Sequence, residues 1–202
     1  GLRITDEKII KVVTDVMVEF NKEIVEALEK KGCEAKSITI KENNVIYVKQ
    51  KSKELGFVGF PDRINIDLIK NFLKENLIPV VSPMGLGEEL LPYNINADTA
   101  AGALAINLKS RRLLLMTDVE GVYDKNKKLI TEIKPTEAEK MIHDGTISEG
   151  MIPKVRTCIN AIENGVRGVV IIDGRKPHSI LYELFSDQGA GTLIRKWKNY
   201  KK

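Results

Sequence analysis

The chain is poor in cysteine, histidine and aromatic side chains. It has two cysteines, two histidines and 5% aromatic residues among 202 residues. Cys33 and Cys158 lie far apart and lack C-x-x-C spacing, so a disulfide framework or a zinc site has no support. No apolar run approaches the roughly 20 residues of a membrane span. We therefore expect a cytoplasmic protein with reduced thiols and no membrane partner.

Neither positive nor negative charge is in large excess. The formal net charge is only +4, and basic residues cluster only in the terminal string RKWKNYKK. Proteins that stack single-stranded nucleic acid or read a groove need denser basic and aromatic surfaces. The composition predicts no nucleic-acid partner.

Short apolar strands alternate with helical patterns along the chain. Thr5 is the expected cap of a first helix, whose apolar positions recur at helical spacing until Gly32. Strands expected near 36–40 and 45–49, joined by the turn string KENN, predict a hairpin. Further helices are predicted at 65–77, 96–109, 135–145, 153–164 and 178–185, and further strands at 78–82, 112–117, 168–173 and 191–195.

Continuous apolar strands between helices favour a mostly parallel sheet that is covered on both faces. The predicted fold class is therefore α/β, a three-layer αβα sandwich with a mostly parallel central sheet. Ligands of such folds bind at the carboxyl ends of the strands. Polar stretches rich in Gly, Asn and Asp follow several of these strands, and they are the candidate sites.

Several common motifs are absent. The string MGLGEELL lacks the third glycine of a dinucleotide-binding fingerprint, and no GxxxxGK string occurs. DKNKK lacks the glycine and the closing glutamate of a calcium loop. His143 and His178 have no partner at ligand spacing, so we expect no metal site formed by the protein.

Two helix starts carry candidate chemistry. In YNINADTAAG, Asn96 caps and Asp98 suits the first turn, while Asn94 is free to donate its amide to a ligand. Ahead of another helix, Gly150 and Lys154 suit phosphate binding, because helix starts carry unpaired N–H groups. Each also has a plain structural interpretation, as a cap, a close helix contact or a solvated charge.

Taken together, the motifs resemble the acetylglutamate kinase family, whose members have the amino acid kinase fold. The resemblance covers Gly1 to about Lys196 in unbroken order, and NINAD, GMIPK and DGR are its most specific strings. The matching strings are GLRITD, FVG, IPVVSPMG, YNINADTAAGALA, TDVEGVY, EGMIPKV and IIDGRKPHSILYELFSDQGAGTLI.

The resemblance implies phosphoryl transfer from MgATP to the side-chain carboxylate of N-acetyl-L-glutamate in arginine biosynthesis. It implies that Arg3 and Asn94 bind the acetylated amino acid, that Lys154 stabilises charge on the transferring phosphoryl group, and that Asp98 organises the lysines. It assigns ATP contacts to two segments, and these residues are Asp118, Val119, Glu120, Gly121, Val122, Tyr123, Thr146, Ile147 and Ser148.

The family pattern also sets expectations for organisation. Residues 1–90 are expected to form an incomplete amino-terminal lobe for acetylglutamate binding and dimerisation, and residues 91–202 a nucleotide-binding lobe. The family's amino-terminal strand, glycine-rich loop and second catalytic lysine do not precede Gly1 here. We therefore expect an amino-terminally truncated fold that is feeble or inactive alone.

Regulation and assembly follow the same resemblance. The ending HSILYELFSDQGAGT is similar to that of the arginine-inhibited branch, and a homodimer or higher homo-oligomer is expected. Two alternatives stay open. One is a non-catalytic domain that senses arginine or nucleotide, and the other is a kinase for another small carboxylate or carbamate.

Overall fold

The computed structural model describes residues 4–187 and 189–196. The chain divides into two compact units, Gly1–Leu104 and Ala105–Lys202. Both units combine helices with sheets, so the predicted α/β class is confirmed.

The first unit contains three helices and six strands among the described residues. In chain order they are α1 (Glu7–Glu29), β1 (Ala35–Ile38), β2 (Ile46–Gln50), β3 (Gly59–Ile64), α2 (Ile66–Lys74), β4 (Ile78–Val81), β5 (Met84–Leu86), β6 (Pro92–Asn94) and α3 (Ala97–Asn107). A short 3₁₀ turn, Glu88–Leu90, joins β5 to β6, and α3 continues past Leu104.

The strands of the first unit form two sheets. β1 pairs with β4 in parallel, and the second sheet has the order β3-β2-β5-β6. The predicted hairpin of the first two strands is therefore wrong. A turn at Thr39–Glu42, closed by backbone hydrogen bonds in both directions, leads the chain from one sheet to the other.

β3 was missed because its sequence, GFPDRI, lacks apolar alternation. It pairs antiparallel with β2 and forms the edge of its sheet, where Pro61 is tolerated. Charged side chains and proline are common devices that protect an edge strand from pairing with other chains. The proline and charged residues that suit β3 to the edge of the sheet therefore also make it hard to predict from apolar alternation.

α1 begins one residue later than its predicted cap implies. Asp6, not Thr5, caps it, because the Asp6 carboxylate accepts a hydrogen bond of 2.8 Å from the Ile9 N–H. Thr5 instead forms an isolated parallel bridge with Gly56. Toward the unit, α1 buries Ile10, Thr14 and Asn21, and the Asn21 amide donates to the Val80 carbonyl at 2.8 Å.

The apolar stripe of α1 points away from its own unit. Val16 and Phe20 are 52% and 55% exposed, and Ile9, Val12 and Ile24 are exposed as well. A helix normally buries its apolar stripe. This surface is therefore an exposed apolar patch on the first unit.

The second unit contains one mixed sheet of order β7-β9-β10-β8. In chain order its elements are β7 (Leu113–Thr117), β8 (Glu132–Ile133), α4 (Pro135–His143), α5 (Met151–Glu163), β9 (Val169–Asp173), α6 (Ser179–Phe185) and β10 (Gly191–Ile194). β7 and β9 run parallel, and β10 runs antiparallel to β9. All five residues of β9 are buried, and α5 packs against it.

Candidate functional site

The two segments predicted to contact nucleotide line one cavity of the second unit. The cavity has a volume of about 150 Å³. Seven of the nine predicted residues line it, together with Met151, and they are Val119, Gly121, Val122, Tyr123, Thr146, Ile147 and Ser148. The first segment follows β7, and the second follows α4. Asp118 and Glu120 do not line the cavity.

The turn that follows β7 is anchored to β10 by a buried hydroxyl. Thr192 is fully buried, and its Oγ1 accepts a hydrogen bond of 2.8 Å from the Val122 N–H and donates one of 2.6 Å to the Ile130 carbonyl. At Gly121, which has φ of +155°, a Cβ atom would overlap the Thr192 hydroxyl. Only glycine lets the turn approach β10 this closely.

Glu120 links the same turn to the segment after β9. Its carboxylate pairs with the Lys176 ammonium and accepts a hydrogen bond of 3.1 Å from the Tyr123 hydroxyl. The hydrogen bond from Lys176, followed by that from Tyr123, lowers the pKa of the Glu120 carboxyl. Desolvation and the bond to Glu120 raise the pKa of the Tyr123 hydroxyl, so both groups keep their ordinary charge at neutral pH.

The second cavity-lining segment is held by Asp144. The Asp144 carboxylate accepts a hydrogen bond of 3.0 Å from the Thr146 N–H and another from the Thr146 hydroxyl, and it pairs with Lys125 at 3.0 Å. These bonds lower the pKa of Asp144 to about 2, and the hydrogen bond from the Thr146 hydroxyl contributes most to this shift. The charged carboxylate thus fixes the start of the 146–148 segment.

α5 begins beside this cavity. Gly150 is its N-cap, and a Cβ atom there would meet nothing within 4 Å. The first N–H groups are partly used, because those of Met151 and Ile152 donate to the Ser148 and Glu149 carbonyls at 3.2 Å. Lys154 lies in the first turn of α5 and is half-buried.

The remaining predicted residues belong to the first unit. Asn94 ends β6, and Asp98 lies in the first turn of α3, both half-buried. Asn96 caps α3 as predicted, because its Oδ1 accepts a hydrogen bond of 3.0 Å from the Thr99 N–H. Arg3 lies outside the described residues.

A backbone ladder connects Thr5 to Asn94. The Phe57 N–H donates to the Thr5 carbonyl at 2.7 Å, and the Asn94 N–H donates to the Phe57 carbonyl at 2.9 Å. The Phe57 and Tyr93 rings contact each other with centroids 5.6 Å apart. The matched strings GLRITD, FVG and YNINAD, which are distant in sequence, therefore meet in this part of the first unit.

Three residues that support the cavity are not predicted from the sequence, namely Thr192, Lys176 and Asp144. Lys176 lies in DGRKPH, a stretch singled out because it follows a strand, yet the sequence does not reveal its partner. Asp144 begins the string Asp-Gly-Thr, in which a carboxylate can bond the backbone two residues on. That signal was available, whereas the contact of Thr192 depends on tertiary structure.

Among residues 4–187 and 189–196, no group of three or more His, Cys, Asp or Glu side chains is placed to hold a metal ion. In the same part of the chain, every helix is too short or too polar to cross a bilayer.

Comparison with known proteins identifies the family. Residues 2–173 match the model of the amino acid kinase family. The chain is 55% identical over 195 residues to an acetylglutamate kinase of Pelagibacter ubique, and the match covers 96% of this chain and 68% of the relative.

Solved structures agree with this assignment. The protein smu.665 of Streptococcus mutans UA159 superposes with a TM-score of 0.83 at 29% identity, over 96% of this chain and 75% of that one. A Neisseria gonorrhoeae N-acetylglutamate synthase superposes with a TM-score of 0.89 at 21% identity, over 98% of this chain and 46% of that one, and shows a shared fold. The predicted fold is confirmed, and the chain belongs to the amino acid kinase family and is similar to the acetylglutamate kinases within it.

Proposed function

We propose that the protein transfers the γ-phosphoryl group of ATP to the side-chain carboxylate of N-acetyl-L-glutamate. A carboxylate oxygen attacks the γ-phosphorus, the bond to the β-phosphate oxygen breaks, and the products are N-acetyl-L-glutamyl 5-phosphate and ADP. The observation that carries this proposal is the cavity, which draws seven predicted nucleotide contacts from two segments in a chain 55% identical to an acetylglutamate kinase.

Charge stabilisation is the main demand of this reaction, because phosphoryl transfer spreads negative charge over the phosphate oxygens. We assign that role to Lys154, which lies one turn from the cavity-lining Met151 on α5. Asp98 organises the cationic groups of the site. Mg²⁺ enters bound to the phosphates of ATP, as MgATP.

The acceptor is assigned to the first unit. Asn94 and Arg3 bind N-acetyl-L-glutamate, the amide donating a hydrogen bond and the guanidinium gripping a carboxylate through its two-pronged geometry. The ladder Thr5–Phe57–Asn94 supports this pairing. In this assignment residues 1–90, together with Asn94, serve the acceptor and dimerisation, the rest of residues 91–202 serve the nucleotide, and the protein works in the cytoplasm.

Lys154→Ala tests the kinase proposal. Because a preorganised donor contributes about 100- to 1,000-fold to the rate, we expect turnover to fall by that factor while ATP affinity changes little. Acyl phosphate formation is measured as hydroxamate. The matched control is Lys140→Ala, which removes an exposed lysine of α4 and should retain full turnover.

Two results would contradict the proposal. One is full turnover in Lys154→Ala. The other is a wild type that binds ATP tightly but neither binds N-acetyl-L-glutamate nor releases ADP in its presence, which would favour the non-catalytic sensor instead.

The assembly proposed is a homodimer through the exposed stripe of α1. An isologous interface needs one self-complementary surface, and the stripe provides the apolar part. Charged residues of both signs occur along α1, and Lys11 and Lys22 already pair with Glu7 and Glu26 of the same helix. The exposed apolar stripe therefore carries the proposed interface.

Phe20→Asp tests this interface. It places a charge in the centre of the stripe, so sedimentation should show monomers where the wild type is dimeric. Phe60→Asp is the control, because Phe60 is equally exposed at 54% but lies on the edge strand β3. A monomeric wild type would refute the assembly.

Arginine is proposed as an inhibitor that binds beside α6. A cavity of about 300 Å³ there is lined by Glu132 and Glu183 among others. The Glu183 side chain is only 5% exposed and already holds a guanidinium, that of Arg112, at 2.8 Å. Calorimetry with arginine should give a binding heat. The heat should be absent in Glu183→Gln, and absent when arginine is replaced by citrulline, whose side chain is uncharged. No heat at millimolar arginine with the wild type would refute the site.

A further inference from the structure

We propose that Lys176 is a positioning residue for the nucleotide base: by pairing with Glu120 it holds the Tyr123 ring as one wall of the nucleotide cavity. The inference rests on the proposed function, since it needs a nucleotide in that cavity. It adds a residue that lies outside both predicted nucleotide segments.

The sheet brings Lys176 to this place. β7 and β9 are adjacent and parallel, and Thr117 is in register with Asp173. The Gly174 N–H donates to the Thr117 carbonyl at 2.8 Å, so the chain leaves both strands at the same edge. Three residues after each strand end, Glu120 and Lys176 meet as an ion pair.

The turn that carries Lys176 is itself fixed. Asp173 accepts two hydrogen bonds from the Arg175 guanidinium, at 3.0 and 2.9 Å, and one from the Arg175 N–H at 2.9 Å. Pro177 follows directly and restricts the backbone. The Lys176 ammonium therefore extends from a rigid base, although its side chain is half-exposed.

Glu120 connects Lys176 to Tyr123. One carboxylate oxygen faces Lys176, and the other accepts the Tyr123 hydroxyl at 3.1 Å. Hydrogen bonds from Lys176 and Tyr123 lower the Glu120 pKa, and the nearby charge of Asp173 opposes this lowering to a smaller extent. Without the lysine, the Glu120 carboxylate would lose its cationic partner, while Asp173 stays paired with Arg175, and Glu120 would turn toward water and release the tyrosine.

Tyr123 is the large aromatic side chain of the cavity lining. It is 36% exposed, so a bound ring would cover part of it. Aromatic rings stack on nucleobases through their faces, and a ring that is already held loses less freedom on binding. A Tyr123 ring that is already held in place therefore strengthens binding of the base and not of the phosphates.

The test compares ATP with inorganic tripolyphosphate, which has the phosphates without the base. Equilibrium binding is measured for the wild type, Lys176→Met and Tyr123→Phe. Because an exposed ion pair contributes little, we expect Lys176→Met to weaken ATP binding about three- to fivefold. Tripolyphosphate binding should not change.

A double variant, a rescue variant and a control test whether Lys176 acts by positioning Tyr123 or only through its charge. The double variant should lose no more ATP affinity than Lys176→Met alone, since both changes act through Glu120. Lys176→Arg should restore the affinity. Lys49→Met removes the same charge from another exposed ion pair, with Asp62, and should bind ATP as the wild type does.

The outcomes distinguish this inference from the proposed function. Equal losses for ATP and tripolyphosphate would mean that Lys176 contacts phosphate, and would overturn the positioning role. Unchanged ATP binding in Lys176→Met would overturn the inference and leave the kinase proposal standing. A wild type that binds no ATP would overturn both.

Discussion

The two candidate regions are built in different ways. Around Asn94, the first unit relies on backbone hydrogen bonds that run from Thr5 through Phe57 to Asn94. Around the proposed nucleotide cavity, the second unit relies largely on side chains, with Thr192, Glu120 and Asp144 each fixing a turn. A backbone ladder tolerates most side-chain changes, whereas a side-chain network can be cut by deleting one polar atom.

The difference has a functional counterpart. The cavity lies among turns that have only short backbone pairing, such as the Tyr123–Leu129 bridge, so its shape also depends on a few polar anchors. The proposed acceptor region is an extension of regular pairing, and its weak points are the positions where a Cβ atom does not fit. Three substitutions test this contrast, from the largest expected effect to the smallest, and a fourth prediction concerns acid.

Gly56→Ala should damage the first unit most. Gly56 has φ of +67°, and a Cβ atom would overlap the Thr5 carbonyl oxygen, which accepts from Phe57. Backbone strain plus the displaced ladder should lower the free energy of unfolding by about 3 kcal/mol. Urea denaturation measures the change.

Gly32→Ala is the control for Gly56→Ala. Gly32 also has positive φ, +81°, but a Cβ atom there would meet nothing within 4 Å. Only the conformational cost remains, about 1 kcal/mol. Equal losses in the two variants would show that close backbone approach is unimportant to the ladder.

Thr192→Val should have the next largest effect. Valine keeps the shape but leaves the buried Val122 N–H and the Ile130 carbonyl without their partner. Loss of this anchor should cost about 2 kcal/mol of stability and weaken ATP binding. Thr157→Val removes an exposed hydroxyl that bonds the Pro153 carbonyl and should change stability by under about 0.5 kcal/mol.

Leu90→Gly should stabilise the first unit slightly. Glu89 and Leu90 both have positive φ, +52° and +60°, in the turn between β5 and β6, and Leu90 is 69% exposed. Glycine removes the strain but adds freedom to the unfolded chain, so the net gain is about 0.5 kcal/mol. Leu73→Gly, at an exposed position inside α2, should destabilise instead.

Acid should destabilise the second unit by protonating Asp144 and Asp173. Hydrogen bonds from Thr146 and from Arg175, respectively, lower the pKa of each carboxyl to about 2. Because both values lie below the ordinary 3.8, the folded state binds fewer protons than the unfolded state. Their stabilisation is complete above about pH 4 and is lost as the pH falls toward 2.

Urea midpoints measured between pH 5 and pH 2 check this prediction. The wild type should lose stability over that interval, and Asp144→Asn should lose less of it because one titrating group is gone. Identical slopes for the two proteins would show that the Asp144 bonds do not persist in solution.

Much of the fold could be predicted because periodicity is a local property. The strand Val169–Asp173 and the helix Met151–Glu163 lie close to their predicted positions, since an apolar run and an amphipathic run need no knowledge of partners. Asn96 was predicted as a cap for the same reason. β3 was missed because an edge strand need not be apolar on either face.

Pairing and burial could not be read from local patterns. The hairpin of β1 and β2 was a natural expectation, yet β1 pairs with β4 and β2 with β3. The apolar stripe of α1 was correctly placed on a helix, but its exposure depends on which face the sheet covers. Such choices are made by contacts between distant segments.

The amino-acid sequence alone determined the class of fold, the helices, most of the longer strands and the family resemblance, from which the two nucleotide segments are predicted, because each depends on neighbouring residues. Tertiary structure alone decided that those segments line one cavity, that Thr192 anchors its turn, and that Lys176 reaches Glu120. The contacts of Thr192 and Lys176 join residues 70 and 56 positions apart, and only the register of β7, β9 and β10 brings them within bonding distance.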